Sequence, residues 1–151
     1  MDRIRVPPLA VVAFAALIMW LCAHLLPSMR FDFQARAAVA AALLLAAVAV
    51  SVAGVVEFRR ARTTVNPLKP GAATSLVTSG IYRVSRNPMY VGFALALLAV
   101  AVFLAHAVAP VMLIGFILYM NRFQIRPEEQ ALKAIFGEEF TRYATRVRRW
   151  I

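Results

Sequence analysis

The sequence predicts an all-α integral membrane protein with about four transmembrane helices, the last two forming a tight hairpin, plus a cytoplasmic loop and a helical tail. Three observations carry that expectation. Of the 151 residues, 62% are hydrophobic and only 16% are charged, whereas a soluble domain holds about 45–50% apolar and about 25% charged residues. Three long tracts contain no Asp, Glu, Lys or Arg. The 17 basic residues outnumber the 7 acidic ones and cluster outside those tracts. Disorder is excluded, because it needs low hydrophobicity. The length suits a single unit of residues 1–151. One cysteine excludes a disulfide framework or a cysteine-rich metal site.

A bilayer core about 30 Å thick needs roughly 20 apolar residues in helical form. The first span is expected at 9–26, bracketed by Pro7, Pro8 and Pro27, which suit helix ends better than interiors. Arg3 and Arg5 ahead of it resemble a signal peptide, but no small-residue cleavage pattern follows, so it is read as a retained anchor. The second span, 37–56, consists almost wholly of Ala, Leu and Val. Its small residues, Gly54 among them, would let helices approach closely. The third tract, from Asn87 to Asn121, is too long for one span. It divides into helices at 89–105 and 108–125 around His106 and Pro110, with one long kinked helix as the alternative. A short connection makes two such helices antiparallel neighbours.

Charge gives the orientation. With four spans, the N-terminus, the loop between the second and third helices and the C-terminal tail share a side. That side carries 15 of the 17 basic residues. The positive-inside rule places it in the cytoplasm. The net charge of +10 therefore reports topology and contact with membrane lipids, with no nucleic acid implied.

The loop at 57–88 is long enough to suggest function. Asn66-Pro67, Lys69-Pro70-Gly71 and Thr78-Ser79-Gly80 are turn signals. Pro88 fits the first turn of the third helix, where its missing N–H costs little. The tail begins at Arg126-Pro127-Glu128-Glu129 and continues with helical spacing, and Gly137 ends or bends that helix. Phe140, Tyr143, Val147 and Trp150 form a second apolar stripe, which suits either the headgroup region or the protein's own cytoplasmic face. No dinucleotide loop, P-loop or H-E-x-x-H occurs. The two histidines are read as one packing and one turn residue, and no metal site is expected.

The segment Gly80-Ile81-Tyr82-Arg83-Val84-Ser85-Arg86-Asn87-Pro88-Met89-Tyr90-Val91-Gly92 resembles a G-x-Y-x-x-x-R-[HN]-P-x-Y-x-G signature. Arg126-Pro127-Glu128-Glu129, followed by Leu132, Phe136-Gly137, Phe140, Tyr143 and Arg149-Trp150, resembles an E-E-x-x-L-x-x-x-F-G-x-x-[FY]-x-x-Y ending. Both belong to the isoprenylcysteine carboxyl methyltransferase and phospholipid methyltransferase superfamily of integral membrane methyltransferases. Thr63-Thr64-Val65-Asn66-Pro67 looks like the bacterial members, which implies a bacterial inner membrane. The resemblance covers about 57–151, with the site region at 80–151. It implies an enzyme that uses S-adenosylmethionine, releases S-adenosylhomocysteine, and methylates a lipidic or hydrophobic small acceptor through a carboxylate, thiol or amine.

The side chains are compatible with that role. Glu128 and Glu129 can accept hydrogen bonds from ribose hydroxyls or the cofactor amine. Tyr82 or Tyr90 can stack on adenine or face the sulfonium. Gly92 would leave space against the helix backbone, and Asn87 offers an amide. Arg86 can pair with a carboxylate of cofactor or acceptor. The expected catalytic residues are Arg86 and Glu129. The expected cofactor-binding set is Tyr82, Arg86, Asn87, Pro88, Tyr90, Gly92, Glu128 and Glu129.

Each has a plainer reading. Arg86 can contact lipid phosphate, and the two tyrosines can be interfacial belt residues. The two glutamates suit a helix N-terminus, Pro88 sets shape, and Gly92 can be a helix contact. For the whole chain, a non-catalytic assembly or transporter subunit fits the spans. A related membrane reductase fits the architecture, without a recognisable dinucleotide loop.

Overall fold

The structure is a computed structural model and describes residues 6–61 and 75–151. Arg3, Arg5, Arg62, the 63–67 segment and the Lys69-Pro70-Gly71 turn lie outside those residues. The fold is all-α. Helix α1 (Pro8–Leu25) is followed by a 3-10 turn, Pro27–Met29, and by α2 (Arg36–Arg60). A second 3-10 turn, Gly80–Arg83, leads into α3 (Pro88–Leu104) and α4 (Ala109–Tyr119). A π-helical segment, Met120–Ile125, then joins α4 to α5 (Arg126–Arg146).

The helix ends follow local chemistry. Pro8, Pro88 and Pro110 sit in first turns, where an N–H has no intrahelical acceptor. α1 stops just before Pro27, because the residue preceding a proline is disfavoured in helical conformation. α3 ends on Ala105 in the left-handed conformation, φ 46. α5 is two helices joined at Gly137, whose φ of 51 and ψ of −119 break the ladder. That is the bend its glycine signalled.

Two helices among the described residues are long and apolar enough to cross a membrane, α1 with 18 residues and α2 with 25. α3 is apolar but has 17 residues, and α4 has 11. The expected α-helix over 108–125 therefore differs from the structure, which widens to π geometry from Met120. Pro127 supplies a reason: it offers no N–H to the carbonyl of Phe123, and its ring would clash with that carbonyl in α geometry.

α2 packs along α3, while α1 packs on α3 and α4. On α2 the buried positions Ala40, Ala47 and Gly54 recur every seven residues, a spacing that keeps one small-residue edge facing a neighbouring helix. On α1, Ala15, Met19 and Ala23 recur every four. They join Tyr90, Leu97, Ala101, Leu104, Ala109, Phe116 and Met120 in one core cluster. Large side chains such as Leu9, Phe14, Leu44, Leu45 and Val48 remain exposed on the outer faces.

The far end of α3 is tied to the α1–α2 connection. Phe31 N–H donates to the Ala105 carbonyl at 2.9 Å, and Ala107 N–H donates to the Met29 carbonyl at 3.1 Å. His106 is 1% exposed. Its Nδ1 accepts from the Val108 N–H at 3.3 Å, so Nε2 carries the proton and donates to the Leu26 carbonyl at 3.0 Å. This is the turn histidine of the pair. His24 sits in the exposed last turn of α1 with Nδ1 3.0 Å from the Trp20 carbonyl.

Candidate functional site

Three stretches meet at the start of α3: the turn that precedes it, the first turn of α5, and residues 147–151 beyond α5. The turn is braced from α2. Glu57, buried at the end of α2, accepts a hydrogen bond from Ser79 Oγ and pairs with Arg60 at 3.1 Å. Gly80 adopts φ +54 with the Glu57 side chain where a Cβ would stand. A residue with a side chain there would be both strained and in collision.

The carboxylates of the first turn of α5 are held by α3 and its approach. Tyr90 Oη donates to Glu128 Oε1 at 2.6 Å. Arg86 lies 3.0 Å from Glu129 Oε1. Arg149 forks onto the same carboxylate, Nε to Oε1 at 3.1 Å and a terminal nitrogen to Oε2 at 2.6 Å. Two guanidiniums thus share one carboxylate. The bonds to Glu129 raise the Arg149 pKa, against the opposing effect of its partial burial. Arg86 also donates to the Ala144 carbonyl at 3.4 Å, and its backbone N–H donates to the Arg148 carbonyl at 3.0 Å. Its Nε is buried with no acceptor among the described residues.

Asn87 stands at the N-cap of α3, but its side chain does not cap the helix. Its amide instead donates to the Arg149 carbonyl at 2.9 Å, and its backbone N–H donates to Ser85 Oγ at 3.1 Å. Pro88 is fully buried at the first helical position. The set Arg86, Asn87, Tyr90, Glu128 and Glu129 is therefore brought together, with Pro88 shaping the approach.

Two expected residues are placed differently. The Tyr82 ring is buried and meets Phe58 edge-on, with 5.3 Å between centroids. Its carbonyl accepts a hydrogen bond from Tyr143 Oη at 2.7 Å. Burial raises its phenol pKa well above the ordinary value, with Tyr143, Glu128 and Glu57 adding to the rise. Burial likewise raises Tyr143, against a smaller opposing effect of Arg86. Tyr82 thus packs the turn onto α2 and has no open face for a stacked base. Gly92 faces α2: a Cβ there would overlap Ser51 Oγ and stand 2.9 Å from the Ala47 carbonyl oxygen. The space expected for a cofactor is filled by a neighbouring helix, which is the helix-contact reading.

Asn121, Glu57 and Gln124 were not singled out by their sequence pattern, and Arg149, quoted with Trp150 at the end of the second motif, was given no site role. Glu57 carried one signal, a lone acid where an apolar run ends. Trp150 Nε1 donates to Asn121 Oδ1 at 3.1 Å. Gln124, fully buried in the π segment, donates to the Val6 carbonyl at 2.6 Å. A fully buried amide in a π segment accords with the frequent occurrence of such segments at functional sites.

The phospholipid methyltransferase family model matches residues 35–139. The chain belongs to the phospholipid methyltransferase family. Its members are membrane methyltransferases related to the isoprenylcysteine enzymes. An uncharacterized protein of Haemophilus influenzae is 44% identical over 63 residues, which is 42% of this chain and all of that protein. Protein-S-isoprenylcysteine O-methyltransferase B of Arabidopsis thaliana is 37% identical over 75 residues, 48% of this chain. The match spans 36% of the Arabidopsis enzyme's length. No solved structure matches. The family match runs from the start of α2 to just past Gly137, so it includes every expected site residue.

Proposed function

We propose that the chain transfers a methyl group from S-adenosylmethionine to a lipidic or hydrophobic small acceptor at the cytoplasmic face of a bacterial inner membrane. In this reading α1, α2, α3 and α4 with its π extension are four spans, α3 and α4 pair as a hairpin, and both termini are cytoplasmic. The observation that carries it is the double link between two distant motif segments: Tyr90 to Glu128, and Arg86 to Glu129. A purely structural tail would need neither a carboxylate shared by two guanidiniums nor a buried Arg86 Nε without an acceptor among the described residues.

The donor set fits the cofactor's amino-acid end. Arg86 offers a carboxylate its Nε, which has no acceptor among the described residues. Glu129 and Glu128 present oxygens to an ammonium group or ribose hydroxyls. Asn87 and Tyr90 line the same approach. When bound, the cofactor supplies a methyl group already activated on a sulfonium. What remains for the chain is alignment of the acceptor nucleophile with that methyl, worth several powers of ten in rate. A carboxylate or thiolate acceptor needs no base. An amine acceptor needs one to release its lone pair, and Glu129 or Glu128 would take the proton. Glu129 is already engaged by two guanidiniums, which suits a binding and orienting role better than proton transfer.

The test is equilibrium titration of the purified, folded chain with S-adenosylhomocysteine. Saturable binding that weakens in Arg86→Ala and Glu129→Ala is the expected result. A folded sample without binding, or binding indifferent to both substitutions, rejects the site.

A further inference from the structure

We propose that Arg149 is a positioning residue of the site, holding Glu129 so that it meets Arg86 through one terminal nitrogen alone and the buried Arg86 Nε stays open to a ligand carboxylate. This rests on the reading of Arg86 and Glu129 as cofactor-binding residues.

Three contacts from two adjacent residues reach the expected set. The Arg149 guanidinium forks onto Glu129, the Arg149 carbonyl receives the Asn87 amide, and the Arg148 carbonyl receives the Arg86 backbone N–H. Those carbonyls are available because the chain leaves α5 at Val147 in extended conformation, φ −118 and ψ 131. Within a helix they would be committed to the ladder. Beyond Arg149, the bond from Trp150 to Asn121 pins the segment to the π-helical stretch, and Trp150 packs on the core cluster. Arg149 is therefore fixed on both sides.

The geometry at Glu129 shows what this achieves. Arg86 touches one oxygen with one terminal nitrogen, while Arg149 takes both oxygens. A carboxylate left alone with a guanidinium favours the paired fork. Without Arg149, Glu129 would rotate onto Arg86 and cover its Nε. Lysine at 149 keeps the charge but has no planar fork, so it cannot hold both oxygens.

The experiment compares two nucleosides on the full chain in mild detergent. S-adenosylhomocysteine carries the amino-acid end, and 5′-methylthioadenosine lacks it. In Arg149→Lys and Arg149→Ala, the affinity for S-adenosylhomocysteine should fall about tenfold, the equivalent of one charge-assisted hydrogen bond, and that for methylthioadenosine by less than about twofold. Equal losses for both nucleosides would show a merely structural role and overturn the proposal. So would full S-adenosylhomocysteine affinity in Arg149→Lys, because charge alone would then suffice. If Arg149→Ala does not fold, Arg149→Lys decides alone. Wild-type chain that binds neither nucleoside rejects the cofactor site itself, whereas unchanged affinities in the variants reject only the role of Arg149.

Discussion

Replacing Gly92 by Ala separates a helix contact from a cofactor-lining position. The added methyl would overlap Ser51 Oγ, which can rotate away, and would stand 2.9 Å from the Ala47 carbonyl oxygen, which cannot. Relief requires α3 to move off α2 by a few tenths of an ångström along the edge that also holds Gly54. Forcing a methyl into a packed site costs about 1–3 kcal/mol. Alanine returns up to about 1 kcal/mol through helix propensity. With the full offset the net loss should reach about 2 kcal/mol at most, or up to roughly 8 °C in the unfolding midpoint of a chain this size. The assay is thermal unfolding in mild detergent, with all variants scanned at one rate because such unfolding is commonly irreversible. Adding Ser51→Ala should recover part of the loss, since the carbonyl contact remains. A midpoint that rises in Gly92→Ala, as it would at a helical glycine facing open space, refutes the packing argument. A midpoint that holds while S-adenosylhomocysteine affinity falls points instead to the cofactor-lining role.

Other outcomes follow from the same contacts. Glu129→Gln leaves Arg86 and Arg149 facing one another without their shared anion. S-adenosylhomocysteine affinity should fall about tenfold or more by calorimetry, and a small change would show that neither guanidinium depends on it. Gly80→Ala combines a positive φ with collision against Glu57. It should lower the unfolding midpoint by the equivalent of about 1–2 kcal/mol, and an unchanged midpoint would contradict the bracing of the turn. His106→Ala removes the donor to the Leu26 carbonyl and should cost about 1–3 kcal/mol, read as a lowered midpoint with ligand affinity intact. Burial places the folded phenol pKa of Tyr82 and Tyr143 above the ordinary 10.0. Their share of the stability is therefore intact below pH 10.0 and declines as pH rises above it. Ultraviolet titration should show two late phenolates that Tyr82→Phe and Tyr143→Phe each remove, and phenols that all titrate near the ordinary value would contradict their burial.

Apolar tracts and prolines made the helices legible, because span length and missing N–H groups act locally. The bend at Gly137 was readable for the same reason. The π segment was not, since hydropathy cannot distinguish α from π geometry, and the proline responsible lies two residues beyond the segment. In the site, the motif residues Arg86, Asn87, Tyr90, Glu128 and Glu129 do converge. Tyr82 and Gly92 show the limit of motif reading. Which way a ring points, and what fills the space beside a glycine, depend on α2, which lies outside both motifs. Arg149 stood with Trp150 at the end of the second motif, but nothing in a tail rich in arginine gave it a role. Its distinction comes from the extended backbone at Val147 and from a carboxylate twenty residues earlier, neither of which a charge pattern displays.

The central claim is methyl transfer, and its most direct test follows the methyl group itself. Purified chain is incubated with methyl-labelled S-adenosylmethionine and a membrane lipid extract, and the products are separated and identified. The expected result is label in a hydrophobic product, with the initial rate reduced about tenfold or more by Glu129→Gln. A folded chain that binds S-adenosylhomocysteine yet places no label in any lipidic or hydrophobic acceptor, across repeated extracts, would contradict the claim.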